Sequence, residues 1–153
     1  MNKSFNELVA TMPGLLQSLQ SQPFRTRKNL VGIPKQGVYV FYENDKALYV
    51  GRSNRLKKRL QEHGRLSSTH NSAPFAFNLA KEKMQRAKEI PPYVRRKELE
   101  HAPGFDYAFF EAKNRVAEMK IRVMQIDDQV TQALFEIYAA LALNTPYNDF
   151  STH

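Results

Sequence analysis

The chain of 153 residues contains no cysteine, so it has no disulfide framework, no thiolate metal site and no cysteine nucleophile; zinc ribbons and iron–sulfur clusters are excluded at once. It also lacks any stretch near the roughly 20 apolar residues that a bilayer-spanning helix needs. The opening, Met1 to Gln22, has one early lysine and no long apolar core. These absences suit a reducing setting, and the expectation is a soluble cytoplasmic protein with no membrane partner. Internal repeats and low-complexity linkers are missing too. Acid is scarce: 15 Asp and Glu stand against 23 Lys and Arg, a net charge of +8 with a pI near 9.8. A compact basic chain attracts polyanions, nucleic acid first among them.

What is present is ordinary globular material, 42% hydrophobic and 25% charged, in a length that makes about one domain of roughly 150 residues. Residues 1–34 read as a helical extension followed by a basic connector, and 35–150 as the main body. Phe5, Leu8, Val9, Met12, Leu15, Leu16 and Leu19 keep helical spacing, although Pro13-Gly14 should break or kink that helix. Arg25, Arg27 and Lys28 lie in the connector between Pro23 and Pro34.

Gly37 to Tyr42 and Ala47 to Gly51 are β-rich runs around a polar turn, which reads as a hairpin. Register decides which side chains meet. If Tyr42 pairs with Ala47, Tyr39 lies opposite Val50 and the two tyrosines face opposite sides. If Tyr42 pairs with Lys46, Tyr39 lies across from Tyr49, which requires a three-residue connection or a nearby bulge.

Ser53 or Asn54 caps a helix that runs to about His63, with Gly64 as its stop. Leu56 and Leu60 form its buried stripe, whereas Arg55, Arg59 and His63 share another face. A negative ligand would be a better partner for that face than local acids. Residues 65–73 form a polar loop containing His70 and Asn71, candidate phosphate contacts. Pro74 to about Glu89 reads as a helix with Phe77, Ala80, Met84 and Ala87 inward. A basic run, Arg95-Arg96-Lys97, precedes a helix from Phe105 to Ala117 and a third strand from Met119 to Ile126. Asp127 or Asp128 caps the last helix, which runs to about Leu143.

Glu136 is the odd residue in that apolar helix. Burying an unpaired carboxylate costs several kcal/mol or forces its protonation. Either it lies on a solvent stripe with Gln129 and Gln132, or it meets a cation or metal. Ala139 and Ala140, at i+3 and i+4, leave room for something bulky beside it.

Taken together, these residues resemble the GIY-YIG endonuclease superfamily. Gly37-Val38-Tyr39 and Tyr49-Val50-Gly51 are similar to its paired signatures, with valine for isoleucine in both. Arg59 follows Tyr49 by ten residues and His63 by fourteen, the spacing at which many members place an essential arginine and a histidine or tyrosine. Arg52 fills a position that is often basic. Glu136 falls on the helix after the third strand, as the metal-binding glutamate does, and Pro146-Tyr147-Asn148 is similar to the ending of the excision-repair branch. The segment from about Ser72 to Glu118 exceeds a minimal core and matches no motif.

The resemblance implies an α+β fold, with a small antiparallel three-stranded sheet flanked by helices and with Tyr39 and Tyr49 on one face, and therefore the register that allows it. It implies a metal-dependent endonuclease acting on DNA, with Mg²⁺ or Mn²⁺ held by Glu136 and completed by water and phosphate oxygens. Tyr39, favoured over Tyr49, activates the water; Arg59 grips the phosphate; His63 relays a proton or donates to phosphate; Asn148 orients a tyrosine or the backbone. Arg52, Arg55, Arg59 and His70 are the candidate nucleic-acid contacts. The alternatives are a nuclease for single strands or RNA, and a non-catalytic nucleic-acid binder. Residues 1–34 or 72–118 are where a second copy or a protein partner would dock.

Overall fold

A computed structural model describes residues 3–151. In chain order it forms α1 (Phe5–Gln20), β1 (Gly37–Glu43), β2 (Lys46–Ser53), α2 (Leu56–His63), α3 (Pro74–Arg86), α4 (Arg96–Glu100), α5 (Phe105–Ala117), β3 (Lys120–Gln125) and α6 (Gln129–Leu143). The three strands make an antiparallel sheet in the order β2-β1-β3, flanked by helices, which is the α+β fold expected. Two units separate: Met1–Arg59 with Met119–His153, and Leu60–Glu118. Among the described residues no helix is long and apolar enough to cross a membrane.

The hairpin register follows from its turn. Asn44 and Asp45 both take positive φ, 52° and 63°, as the two central residues of a type I′ turn do, and these residue types tolerate that region. The tight turn pairs Glu43 with Lys46 and Tyr42 with Ala47. A bulge between Phe41 and Tyr42 then shifts the pairing, so that Phe41 meets Tyr49, Val40 meets Val50 and Tyr39 meets Gly51. Tyr39 and Tyr49 therefore share a face. They are not direct partners, because the bulge skips Leu48 and moves the alignment two residues beyond the one expected.

That alignment explains two glycines. A Cβ on Gly51 would lie 2.2 Å from the Tyr39 hydroxyl oxygen and 2.3 Å from its Cζ. The phenol occupies the space a side chain would take. A Cβ on Gly37 would meet the Met124 carbonyl oxygen at 2.0 Å, so glycine also lets β1 lie close to β3.

The opposite face of the sheet carries the core. Val38, Val40 and Tyr42 of β1 pack with Val50, Met124 and, from α6, Phe135, Ala139 and Ala140, beside Met12 and Leu19 of α1. Ala139 and Ala140 are buried against the sheet rather than opening space beside Glu136; their small size permits α6 to approach the strands. α1 runs unbroken through Pro13-Gly14. Pro13 costs one hydrogen bond, to the carbonyl of Val9, and Val9 is 43% exposed, so water can take that carbonyl. The basic connector is tied down: Arg25 exchanges two backbone hydrogen bonds with Ile121 of β3, at 2.7 and 2.8 Å.

In the second unit, α3 and α5 pack through Phe77, Phe105 and Phe109, with ring centroids 5.4 to 6.1 Å apart. α3 ends at Arg86 rather than Glu89, because Lys88 turns to φ 58°, and Ala87 is exposed instead of inward. The basic run Arg95-Arg96-Lys97 opens the short α4, where Arg96 lies over the Phe77 ring at 5.2 Å. Lys113 is buried, with its ammonium donating to the carbonyls of Leu66 and Ser68, so it holds the polar loop.

Two glycine substitutions should move stability in opposite directions. Gly51→Ala forces the Tyr39 ring aside and should lose about 1–3 kcal/mol, the usual cost of overpacking a filled core. Gly14→Ala, which meets nothing within 4 Å in the middle of α1, should gain about 0.5–1 kcal/mol. Urea midpoints read both, and a Gly51→Ala midpoint equal to wild type would contradict the packing of Tyr39 on Gly51.

Candidate active site

The sheet places two phenols where alternation demands. Tyr39 and Tyr49 point to the same side, next to Phe41, whose ring meets that of Tyr39 edge-on at 5.7 Å. Tyr39 is 1% exposed, whereas Tyr49 is only partly buried. Arg59 projects from α2 and hydrogen-bonds the Tyr39 hydroxyl. Burial pushes the pKa of Tyr39 well above its usual value, the neighbouring Tyr49 adds to that, and Arg59 opposes both through its charge and its hydrogen bond. Burial likewise raises Tyr49 to about 12, again against Arg59. Glu136 raises both phenols slightly, so its carboxylate lies within electrostatic reach of each.

Glu136 is half-buried on α6. Loss of water raises its pKa, and Arg52 pulls it back. Arg52 stands opposite Val38 in the register and is exposed. The stripe on which Glu136 lies is not a solvent stripe. Gln132, one turn earlier, is 1% exposed and donates to the Ile126 carbonyl at 2.7 Å and to the Asn54 side-chain oxygen at 3.3 Å.

Asn148 holds the strand that carries Tyr49. Its Oδ1 accepts the Val50 N–H at 2.8 Å and its Nδ2 donates to the Val50 carbonyl at 2.8 Å, so one side chain imitates a neighbouring strand at the outer edge of β2. The Thr145 hydroxyl donates to the same Oδ1 at 2.7 Å, and the Tyr147 N–H reaches the Leu48 carbonyl at 3.3 Å. Thr145 was invisible to the motif reading; its signal is its place three residues before Asn148 in a proline-containing turn.

The first unit thus gathers Tyr39, Tyr49, Arg52, Arg59, Glu136 and Asn148. Arg55 is exposed and precedes α2, its carbonyl accepting the Arg59 N–H at 2.9 Å, while its own N–H goes to the Ser53 hydroxyl at 2.9 Å. The proposed three-cation face is therefore uneven: Arg55 is exposed, Arg59 half-buried and His63 fully buried at the end of α2. In the second unit the His70 Nδ1 meets the Glu100 carboxylate, and its ring leans on Phe77.

Among the described residues no three of His, Asp or Glu converge as a metal cage. A half-buried carboxylate short of water is nevertheless a fitting single hard-oxygen ligand for a divalent cation, and Arg52 is the positive charge that now compensates it.

Residues 35–102 match the family model of the GIY-YIG catalytic domain. The match takes in Tyr39, Tyr49, Arg59, His63 and His70 and stops before Glu136 and Asn148. Among curated proteins and among solved structures, none matches the chain. Nucleases of this superfamily generally use divalent metals and act on nucleic acid. The match over residues 35–102 thus supports the resemblance of this chain to the GIY-YIG superfamily, whose catalytic domain is of the nuclease type.

Proposed function

We propose that the chain is a metal-dependent endonuclease that hydrolyses phosphodiester bonds in DNA. One observation carries this reading: Arg59 hydrogen-bonds Tyr39 in a site where Tyr49 and Glu136 are both close enough to raise the pKa of that phenol. Attack on phosphorus builds negative charge on its oxygens and on the leaving oxygen, and needs a group to accept the proton of water. Phenols, a guanidinium and a carboxylate within one electrostatic neighbourhood meet those needs.

Tyr39 accepts the proton. Among its neighbours Arg59 is the group that favours the phenolate, by charge and by hydrogen bond, and a phosphate gripped by Arg59 sits next to the hydroxyl that Arg59 orients. Tyr49, partly open to solvent, aligns the water or a phosphate oxygen. Glu136 would hold Mg²⁺ or Mn²⁺, whose Lewis acidity neutralises charge on the phosphate oxygens when bound. Arg52 and Arg55 attract the backbone, and Asn148 keeps Tyr49 in register. His63, buried, and His70, engaged with Glu100, stand outside these steps.

The raised phenol pKa values set the pH dependence. With Tyr49 near 12 and Tyr39 also high, the phenolate is a minor form at neutral pH, on the order of one part in 10⁵ for a pKa of 12. Below that pKa the reactive fraction rises tenfold per pH unit. Log single-turnover rate should therefore climb with a slope of about 1 from pH 7 to 9. Tyr39→Phe should lose rate by about 10²- to 10⁴-fold and flatten the slope, whereas Tyr49→Phe should be slower with the slope retained. A flat wild-type profile would refute the phenolate base, and a slope lost only in Tyr49→Phe would exchange the two roles.

Glu136→Gln tests the cation. The amide keeps the shape and removes the charge, so DNA binding should persist or tighten slightly, while Mg²⁺-dependent cleavage collapses and excess Mn²⁺ restores little of it. Wild-type cleavage by a folded Glu136→Gln protein would overturn the mechanism.

A further inference from the structure

Beyond the residues that meet substrate, the corner between β2 and α2 has an attachment of its own. Asn54 lies at this corner, five residues after Tyr49 and five before Arg59. Its Nδ2 donates to Gln129 Oε1 at 3.1 Å, and its Oδ1 accepts from Gln129 Nε2 at 2.9 Å and from Gln132 Nε2 at 3.3 Å. Gln132 is buried and anchored to the Ile126 carbonyl at the end of β3. Gln129, Gln132 and Glu136 follow one another at i, i+3 and i+7, a single stripe of α6. The stripe that carries the candidate metal ligand thus begins with two amides that hold the corner leading to Arg59.

The start of α2 is held as well by the Leu56 N–H on the Lys35 carbonyl at 2.9 Å, by the Arg55 N–H on the Ser53 hydroxyl at 2.9 Å and by the buried Leu56 side chain. A helix of eight residues, Leu56–His63, takes its stability from what packs on it and holds its ends, and a side-chain grip across to α6 bears on where Arg59 points. The amides grip that corner from α6. They therefore couple the position of Arg59 to the helix that presents Glu136, two groups that act on one phosphate only if their separation is kept.

We propose that Asn54 is a positioning residue, which through Gln129 and Gln132 fixes the β2–α2 corner and so sets Arg59 against Tyr39 and Glu136. The inference rests on the nuclease reading for its effect on rate, but its geometric part is independent of it. Asn54 is exposed, so replacing it disturbs no core.

The test compares wild type, Asn54→Ala, Asn54→Asp and Arg59→Ala, with the Asn54→Ala/Arg59→Ala double variant. Single-turnover nicking of plasmid DNA with Mg²⁺ gives the rate, and titration of the same DNA with Ca²⁺ gives affinity. Asn54→Ala should lower the rate by about 10-fold, the scale of a small misplacement, with affinity within about twofold. Asn54→Asp keeps the oxygen that accepts from both glutamines and should recover most of the loss. Because Asn54 acts through Arg59, Asn54→Ala should cost nothing further in the Arg59→Ala background. Full additivity, or an unchanged rate in Asn54→Ala, would overturn the proposal.

A second readout needs no turnover. The ¹³Cζ shift of Tyr39 reports its hydrogen bond from Arg59; it should move in Asn54→Ala toward its value in Arg59→Ala, and stay in Asn54→Asp. If wild type fails to nick DNA while this shift moves as stated, the nuclease reading falls and the positioning role stands. A shift unmoved in Asn54→Ala would overturn the positioning role, whatever the activity.

Discussion

The hydroxyl of Tyr39 sits over a residue that cannot have a side chain, and it accepts a hydrogen bond from an arginine on the next helix. Three features meet in that contact. Gly51 must be glycine because the phenol fills its Cβ position. The hairpin must carry its bulge, because only the shifted register puts Gly51 opposite Tyr39. Arg59 must come within reach, which ties the orientation of α2 to the pairing of β1 with β2. The two halves of the signature are thus one packed object, a ring on one strand and its seat on the other.

Burial of this contact has an electrostatic consequence. A phenol deprived of water resists ionisation, and the same is true, more weakly, of the Glu136 carboxyl. Two cations work against that cost, Arg59 at the phenols and Arg52 at the carboxylate. In the proposed function a phosphodiester would bring negative charge into such a site, and a divalent cation at Glu136 would balance it.

Much of this was legible in the sequence, and the remainder failed for identifiable reasons. The two strands, the third strand, the Phe105–Ala117 helix and the Asp128 cap follow from period and capping residues. The register needed the Asn44-Asp45 turn to be read as a two-residue type I′ connection with a bulge beyond it, and a bulge leaves no residue signature here. Pro13 is ordinarily a helix breaker, yet the bond it removes belongs to the carbonyl of the exposed Val9, which water can reach. Gln132 looked like surface because glutamine usually is; its burial depends on Ile126 and Asn54, six and 78 residues away. Tyr39 lies within electrostatic reach of Tyr49, Arg59 and Glu136, whereas the helical spacing that places Arg55 and His63 on one cationic face takes no account of what covers His63.

The site joins residues from both ends of the first unit, with Leu60–Glu118 set between them in the chain. Its central claim is that these groups cut a phosphodiester bond with a bound cation, and nicking of supercoiled plasmid DNA by the wild-type protein tests it most directly. The account predicts conversion to the open-circular form in Mg²⁺ or Mn²⁺ and none in EDTA, at equal protein and at low salt where binding is secure. DNA that is bound in Mg²⁺ yet remains fully supercoiled would contradict it and leave a binding protein on a nuclease fold.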